Sequence, residues 1–241
     1  MPTNHAILSA SSSHRWLECP PSAKLCAELP DTSSEYAQEG TDAHALCEHR
    51  LKALLGRETT DPTENLTYYN EEMERCAVEY ATYAYEQVKK AKVACNDPIV
   101  LIEQKLDFSR WVPEGFGTGD CVIVADGTLS VIDFKYGKGV EVRAENNPQM
   151  MLYALGALEL FDGIYDISAV NMIIFQPRRD NISEYAISKE ELLRWANEIL
   201  TPTAQLAANG DGDFKAGKHC RFCKVRATCR KLAEYNLALA R

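Results

Sequence analysis

Two acidic side chains near the middle of the chain have the spacing that chemistry would need. The segment TGDCVIVADGTLSVIDFKYGKG (118–139) contains two β-rich runs on either side of Asp126-Gly127. That dipeptide is typical of the type I′ turn of a two-residue β-hairpin. Such a turn brings Asp120 directly opposite Asp133, with Cβ atoms about 4.5–5.5 Å apart. The spacing therefore predicts a carboxylate pair on adjacent strands.

A carboxylate pair in an apolar sheet is destabilising unless a cation compensates it. Lys135 follows Asp133 by two residues, so its side chain emerges on the same face of the strand. Two oxygen ligands beside an ammonium group suit a divalent metal and an anion such as a phosphodiester. The alternative is an exposed Asp120 and a surface ion pair between Asp133 and Lys135. The apolar residues around this segment and the glycines at 117 and 119 favour a metal-binding or catalytic site over a surface ion pair.

The elements that must position this pair are read from periodicity and capping residues. Asn147 is the expected N-cap of a helix with Pro148 at its first position, and Ser188 with Glu191 has the spacing of a capping box. The predicted elements, in chain order, are helices at about 35–55 and 71–91, a strand at 100–108, the two hairpin strands, a helix at 147–160, a strand at 169–177 and a helix at 188–208.

The hairpin strands are apolar on both faces, which is typical of the middle of a sheet covered by helices on both sides. The alternating residues are Val122, Val124 and Val131 on one face and Ile123, Ile132 and Phe134 on the other. The order of elements predicts an α/β (α+β) fold with a central mixed sheet flanked by helices. We expect one domain over 1–241, with a helical part at 1–100, a core at 100–208 and a cysteine-rich basic segment at 209–241.

Length and composition restrict the class of protein. The chain has 241 residues, of which 46% are hydrophobic, and a formal net charge of -9. This composition supports a sizeable core and excludes a wholly disordered or coiled-coil chain. There is no run of eighteen apolar residues and no basic start followed by a long apolar run. A soluble, cytoplasmic protein without a membrane span is therefore expected.

Three of the nine cysteines, Cys220, Cys223 and Cys229, crowd into ten residues near the end of the sequence. This clustering favours a reducing compartment and a cysteine-ligated metal centre. The others apart from Cys19 are interpreted as small hydrophobic residues: Cys26, Cys47, Cys76, Cys95 and Cys121. No acid occurs between Phe214 and Arg230, and the basic residues there, including Lys218, Arg221 and Lys224, form either a nucleic-acid-binding patch or a solvated surface.

Four short motifs occur in an order and spacing that resemble a known superfamily. They are Gly40-Thr41-Asp42-Ala43-His44, GTGD at 117–120, DFK at 133–135 and Gln149-x-x-x-Tyr153. Together they resemble the PD-(D/E)XK nuclease superfamily, and within it the RecB-like branch. Asp133 stands where that motif more often has Glu. The resemblance implies a restriction-endonuclease-like core and a metal-dependent deoxyribonuclease, specifically an exonuclease that acts on DNA ends or single strands.

The resemblance also implies roles for individual residues. His44, Asp120, Asp133 and the backbone carbonyl of Phe134 would bind one Mg²⁺ or Mn²⁺, and the histidine somewhat favours Mn²⁺. Lys135 would position the attacking water and offset charge on the phosphorus. The catalytic set is completed by two residues on one helix face, Gln149 and Tyr153.

The cysteine spacing extends this resemblance. Cys220-x2-Cys223-x5-Cys229, with the remote Cys19-Pro20, is similar to the iron–sulfur RecB-like nucleases, which include the CRISPR-adaptation nuclease and the AddB-type helicase–nucleases. There four cysteines hold a 4Fe-4S cluster. Cys26 is an alternative to Cys19 as the fourth ligand, and a structural Zn²⁺, with four thiolates or with three and His219, is an alternative to the cluster.

Several expectations about partners follow. DNA is the expected partner, with contacts from the basic segment and from Lys138 in the loop after the hairpin. The alternative for this loop is that it only reverses the direction of the chain and does not contact DNA. The resemblance implies a phage-encoded recombination or replication factor. Two functions remain as alternatives. One is a non-catalytic DNA-binding or adaptor module in a recombination or replication complex, and the other is a zinc-stabilised RNA-binding protein.

Overall fold

The computed structural model of the chain describes residues 6–30 and 34–240. Its centre is a single five-stranded mixed sheet whose spatial order follows the chain order. The second strand is antiparallel to the third, the third is parallel to the fourth, and the fourth is antiparallel to the fifth. The strands are β1 (Ile99–Asp107), β2 (Phe116–Ala125), β3 (Gly127–Phe134), β4 (Ile167–Gln176) and β5 (Asn181–Ser188).

Helices precede, interrupt and follow the sheet. They are α1 (Ser13–Glu18), α2 (Ser22–Ala27), α3 (Glu35–Leu54), α4 (Glu71–Ala94), α5 (Pro148–Phe161), α6 (Lys189–Trp195), α7 (Thr201–Asn209) and α8 (Arg230–Leu239). A π-helical turn, Ala196–Leu200, connects α6 with α7. The mixed sheet with flanking helices confirms the predicted α+β class. Among the described residues, none of these helices combines the length and apolar character that crossing a bilayer requires.

The chain forms two compact units. The larger unit comprises Thr32–Leu106 and Thr118–Lys189, and it therefore contains the hairpin, α3, α4 and α5. The smaller unit comprises Met1–Asp31, Asp107–Gly117 and Glu190–Arg241. It contains α1, α2, α7 and α8 together with the C-terminal cysteines.

The hairpin has the predicted register but a different turn. Cys121 pairs with Ile132 and Ala125 pairs with Thr128, so two residues form the connection. Gly127 adopts a φ of +83°, whereas Asp126 is not among the residues with positive φ. A type I′ turn needs positive φ at both central positions, so the predicted turn type is wrong. One glycine in the left-handed region is sufficient for the observed turn.

Both faces of the hairpin are buried, as predicted. Ile123, Ile132 and Phe134 belong to one apolar cluster with side chains of α3 and α4. Val122 alternates with these residues and is fully buried, as are Val124 and Val131. Helix α5 packs on β3 and β4. Apolar side chains on both faces thus place β2 and β3 in the interior of a layered structure.

The helix starts follow from capping chemistry. The Asn147 side chain accepts hydrogen bonds from the backbone N–H groups of Gln149 and Met150, and Pro148 is the first residue of α5, as predicted. Ser34 and Asn70 cap α3 and α4 in the same way. These bonds satisfy N–H groups that lack partners within the helix.

Strand β5 was not predicted. Its residues alternate between exposed and partly buried positions, and it pairs with β4 at one edge of the sheet. An edge strand has one side open to solvent, so it does not need the continuous apolar pattern that identifies a central strand.

A buried glutamine at the end of β4 holds the loop between β3 and α5. Gln176 is 1% exposed. Its Nε2 donates to the carbonyl oxygens of Gly137 and Val140, both at 2.8 Å. Its Oε1 accepts from the Val142 N–H and from the Asn181 Nδ2, both at 3.2 Å. All four hydrogen-bonding positions of the amide are therefore used.

Replacing this amide with an apolar group of similar size should destabilise the protein. We expect Gln176→Leu to lower the free energy of unfolding by about 2 kcal/mol or more, because the buried partners lose their hydrogen bonds. Urea denaturation followed by circular dichroism measures the change. Gln205→Leu, at an exposed position of α7, is the matched control and should have little effect. Equal stability of the two variants would contradict this role of Gln176.

Candidate active site

A histidine faces two carboxylates in the larger unit. His44, on α3, places its Nδ1 3.3 Å from Asp120 Oδ1 and 3.8 Å from Glu103 Oε1. The other Asp120 oxygen accepts a hydrogen bond of 2.6 Å from the Phe134 N–H. The Phe134 ring meets the imidazole edge-on, with ring centroids 5.4 Å apart. The Asp120 carboxylate thus connects α3 with the end of β3.

Two features of β1 and β2 bring these groups together. Glu103 has a φ of +50° within β1. This is a sparsely populated conformation for a residue with a side chain, at a cost of about 1–3 kcal/mol, and such conformations cluster at functional sites. In β2, a Cβ added to Gly119 would lie 2.9 Å from Leu106 Cδ1, so a larger residue before Asp120 would require the Leu106 side chain to move.

The three side chains fit a divalent ion. The donor atoms of His44, Glu103 and Asp120 all lie within 4.8 Å of one another. An ion about 2.0–2.3 Å from each ligand holds adjacent ligand atoms about 3 Å apart. The His44–Asp120 distance of 3.3 Å is near that spacing, and the His44–Glu103 distance of 3.8 Å is longer. One imidazole nitrogen and two carboxylates are suitable ligands for a first-row divalent metal. The site can therefore hold such an ion.

The second predicted carboxylate has other neighbours. The side chain of Asp133 is 3% exposed, and its Oδ2 lies 2.8 Å from Lys135 Nζ. Its Oδ1 accepts a hydrogen bond of 3.3 Å from Gln149 Nε2. Gln149 also accepts from Lys135 Nζ at 3.1 Å and donates to the Tyr153 hydroxyl at 3.0 Å. The structure thus brings Asp133, Lys135, Gln149 and Tyr153 into one hydrogen-bonded network.

The metal-ligand set differs in detail from the predicted one. His44 and Asp120 lie together as predicted, while Asp133 is not a member of the three-residue donor group. Phe134 contributes its N–H to Asp120. Glu103 was missed, because it lies beside Gln104 and Lys105 in the strand sequence VLIEQKL and does not stand out as an isolated acid there. Its contact with His44 joins different elements, which spacing along the chain does not reveal.

Opposite charges dominate the electrostatics of the His44 group. Burial lowers the pKa of His44, but the charge and hydrogen bonding of Asp120 and Glu103 outweigh this effect and raise it to about 10. Burial raises the pKa of Asp120, but His44 and Lys135 outweigh it, so the net pKa is lowered. In the absence of a metal, a proton on His44 supplies the positive charge that the carboxylates require.

The second group also consists of charges that stabilise one another. Burial, and then the negative charge of Asp120, raise the pKa of Asp133 to about 6 in spite of the adjacent Lys135. Burial lowers the pKa of Lys135, but the two aspartates outweigh it and the net pKa is raised. Lys135 is therefore a cation at neutral pH, held beside the carboxylates and available to an anionic ligand.

The predicted DNA-binding residues occur in both units. Lys138, in the loop after β3, lies 2.9 Å from a Glu72 carboxylate oxygen. Lys218, Arg221 and Lys224 are exposed residues of the smaller unit. The Lys224 Nζ donates to the Leu29 carbonyl oxygen at 3.2 Å. A basic exposed surface in the smaller unit is therefore present.

The four cysteines of the predicted cluster all belong to the smaller unit. Cys19, Cys220 and Cys223 are buried, and Cys229 is half-buried. The sulfur of Cys223 lies 3.8 Å from that of Cys26, well beyond the length of a disulfide bond, which is about 2.05 Å. Burial, together with Cys26, raises the pKa of Cys223 to about 11. Cys26, the alternative fourth ligand, is thus a direct neighbour of the C-terminal motif.

Comparison with known proteins gives a family and two solved structures. A family model described as "Protein of unknown function (DUF2800)" matches residues 5–241. A structure described as "Putative exonuclease" from Eubacterium rectale is similar over 92% of this chain and 88% of its own, with 11% identity and a TM-score of 0.45. The structure of SSO0001 is similar over 77% of this chain and 95% of its own, with 15% identity and a TM-score of 0.32. The chemical interpretation of the site is based on the side chains and distances of this chain alone.

Metal binding by the three-residue donor group is directly measurable. We expect the protein to bind Mn²⁺ in calorimetric titration and Glu103→Gln to weaken binding at least about tenfold, because even residues that only support a ligand commonly contribute that much. Glu86→Gln removes an exposed carboxylate of α4 and should leave the affinity unchanged. Equal Mn²⁺ affinity of wild type and Glu103→Gln would show that Glu103 is not a ligand.

Proposed function

The chain belongs to the DUF2800 family, and from the geometry of its site we propose that it is a divalent-metal-dependent deoxyribonuclease of the RecB-like branch. It hydrolyses phosphodiester bonds as an exonuclease on DNA ends or single strands. The main support is the arrangement of Lys135, which lies 2.8 Å from Asp133 beside the His44–Glu103–Asp120 group. A metal-ligand set next to a fixed ammonium group is suited to phosphodiester hydrolysis, because both can stabilise the negative charge that develops on the phosphoryl oxygens.

The side chains divide the tasks of the reaction. His44, Glu103 and Asp120 would hold Mn²⁺ or Mg²⁺. A divalent ion held there would supply Lewis-acid polarisation of a phosphoryl oxygen and a lowered pKa for water. Lys135 carries the positive charge that offsets the charge developing on the phosphoryl oxygens. Asp133 and Gln149 fix the direction of that ammonium group through contacts of 2.8 and 3.1 Å.

Tyr153 completes the support of Lys135 from α5. It bonds to Gln149 at 3.0 Å, one helical turn away. Burial, followed by the charge of Asp133, raises the pKa of Tyr153, so the hydroxyl keeps its proton at neutral pH. The phenol therefore fixes the orientation of the Gln149 amide. We assign Tyr153 this role and not that of a general base.

Phosphate backbone contacts would come from basic side chains outside this network. The four proposed contributors are Lys138, Lys218, Arg221 and Lys224. All are exposed. Binding to phosphates by such residues is electrostatic and falls as the salt concentration rises.

The smaller unit would carry a 4Fe-4S cluster on Cys19, Cys220, Cys223 and Cys229. The chemistry of the donor set supports this proposal, because free thiols are what such a cluster requires and these are free. The rival zinc site would use the same sulfur atoms. Cys26, with its sulfur 3.8 Å from that of Cys223, is the alternative fourth ligand.

Cleavage should depend on the ammonium group separately from metal binding. With Mn²⁺ present we expect labelled linear DNA to be degraded, EDTA to stop degradation, and Lys135→Met to lower the rate about 100-fold or more. Mn²⁺ binding should persist in that variant and should not weaken, because Lys135 is not a ligand and its positive charge, which acts on Asp120, opposes a second cation. Lys92→Met, at an exposed position of α4, serves as the control.

Wild-type protein that binds DNA and Mn²⁺ but cleaves neither single strands nor duplex ends would refute the nuclease. That result would instead favour the non-catalytic DNA-binding module.

The identity of the cysteine-bound metal is a separate prediction. Protein purified without oxygen should be brown and contain about four iron atoms per chain. Cys223→Ala should remove the colour and the iron, whereas Cys95→Ala, at a buried position of the larger unit, should retain both. Elemental analysis and visible absorption measure these outcomes. A colourless protein with bound zinc would replace the cluster with a zinc site.

A further inference from the structure

The smaller unit contains an open groove that the proposed catalytic chemistry does not use. Its volume is about 1100 Å³, and its walls come from α1, from the segment 213–219 and from α8. Pockets for small ligands commonly span about 300–1,000 Å³. An open groove above that range suits a segment of an extended chain better than one compact small molecule.

Two aromatic rings line the groove and remain open to solvent. Phe214 is 47% exposed and Tyr235 is 43% exposed. Phe214 precedes the cysteine motif and Tyr235 lies on α8, a helix without buried residues. Exposed aromatic faces in a groove are available for stacking, and every nucleobase has a flat face that stacks on such rings.

The charged side chains around these rings favour a phosphate-bearing ligand. Lys215, Lys218 and Lys231 line the groove together with Glu18, Asp213 and Glu234. Of the acids, Glu234 is already paired with Arg230 at 2.8 Å. The segment 214–230 adds further cations and no acid. With Arg230 and Glu234 counted as a pair, the three groove lysines outnumber the two remaining acids among the residues that the structure describes, which is a balance that favours a polyanion.

We propose that this groove binds single-stranded DNA, with bases stacked on Phe214 and Tyr235 and phosphates held by the groove lysines. Paired bases in a duplex have their faces covered by their neighbours, so stacking on protein rings selects unpaired bases. The choice of DNA as the ligand rests on the proposed nuclease function. The groove would retain a strand during its digestion by a separate set of residues.

Binding can be measured without cleavage. The probe is a fluorescein-labelled oligothymidylate of twelve nucleotides, titrated by fluorescence anisotropy with full-length Asp120→Asn protein and no added Mn²⁺ or Mg²⁺. In this background, Phe214→Ala and Tyr235→Ala should each weaken binding about 5- to 150-fold, the range expected for one stacked base. Phe222→Ala is the matched control, because Phe222 is 77% exposed but does not line the groove.

The form of the nucleic acid distinguishes stacking from charge attraction. A twelve-residue abasic strand and a blunt duplex should each bind at least about tenfold more weakly than the oligothymidylate. If either binds as tightly, or if Phe222→Ala is as harmful as Phe214→Ala, the stacking groove is refuted. Tighter binding of oligouridylate would also overturn the proposal, since it would identify RNA as the ligand.

Two further comparisons separate a loss of stacking from a loss of folding, and the groove from the nuclease activity. Phe214→Leu retains apolar volume without a flat ring, so it should weaken binding while the thermal melting curve stays that of the parent. A wild-type protein that cuts no DNA would refute the proposed nuclease while leaving these binding data valid. Cleavage by a Phe214→Ala, Tyr235→Ala double variant with unchanged affinity for the oligonucleotide would refute only the groove.

Discussion

The compensation of three buried or half-buried carboxylates is the constraint on which the larger unit depends. Glu103, Asp120 and Asp133 lie on three consecutive strands of one sheet. Negative charges so close together in a protein interior are destabilising unless cations and hydrogen bonds accompany them. The His44 imidazole compensates the charge of the first two carboxylates, and the Lys135 ammonium group compensates that of the third. The protein therefore has to bring two cations to the sheet from different parts of the chain.

The layered fold meets this requirement. The apolar cluster between the sheet and helices α3 and α4 fixes the helix that carries His44. On β3 and β4, helix α5 packs so that Gln149 bonds to both Asp133 and Lys135. The burial of apolar area thus supplies stabilising free energy for the fold, and the polar contacts determine which side chains lie next to one another. The positive φ of Glu103 is tolerated because the surrounding sheet holds it in place.

The sequence predicted those features that depend on residues close together along the chain. The hairpin register, the Asn147 cap and the apolar faces of β2 and β3 depend on neighbours along the chain, and all were predicted correctly. Glu103 was missed because its place beside His44 depends on a backbone conformation and a contact with α3. Strand β5 was missed because an edge strand with alternating exposure has the composition of a loop. The contact of Cys26 with Cys223 joins residues 197 positions apart, and the sequence named Cys26 only as the alternative to Cys19, because spacing along the chain does not distinguish the two.

The His44 group also shows how a proton can compensate the charge of two carboxylates when no metal is bound. Its Nδ1 is directed at two carboxylates, and they stabilise a proton there strongly enough to raise the pKa to about 10. The proton and a divalent ion would use the same nitrogen, because only neutral imidazole is a metal ligand. The same arrangement would therefore serve two purposes. It keeps the carboxylates compensated by a proton on His44, and it holds the three donor atoms within 4.8 Å of one another, so that a bound divalent ion would take the place of that proton.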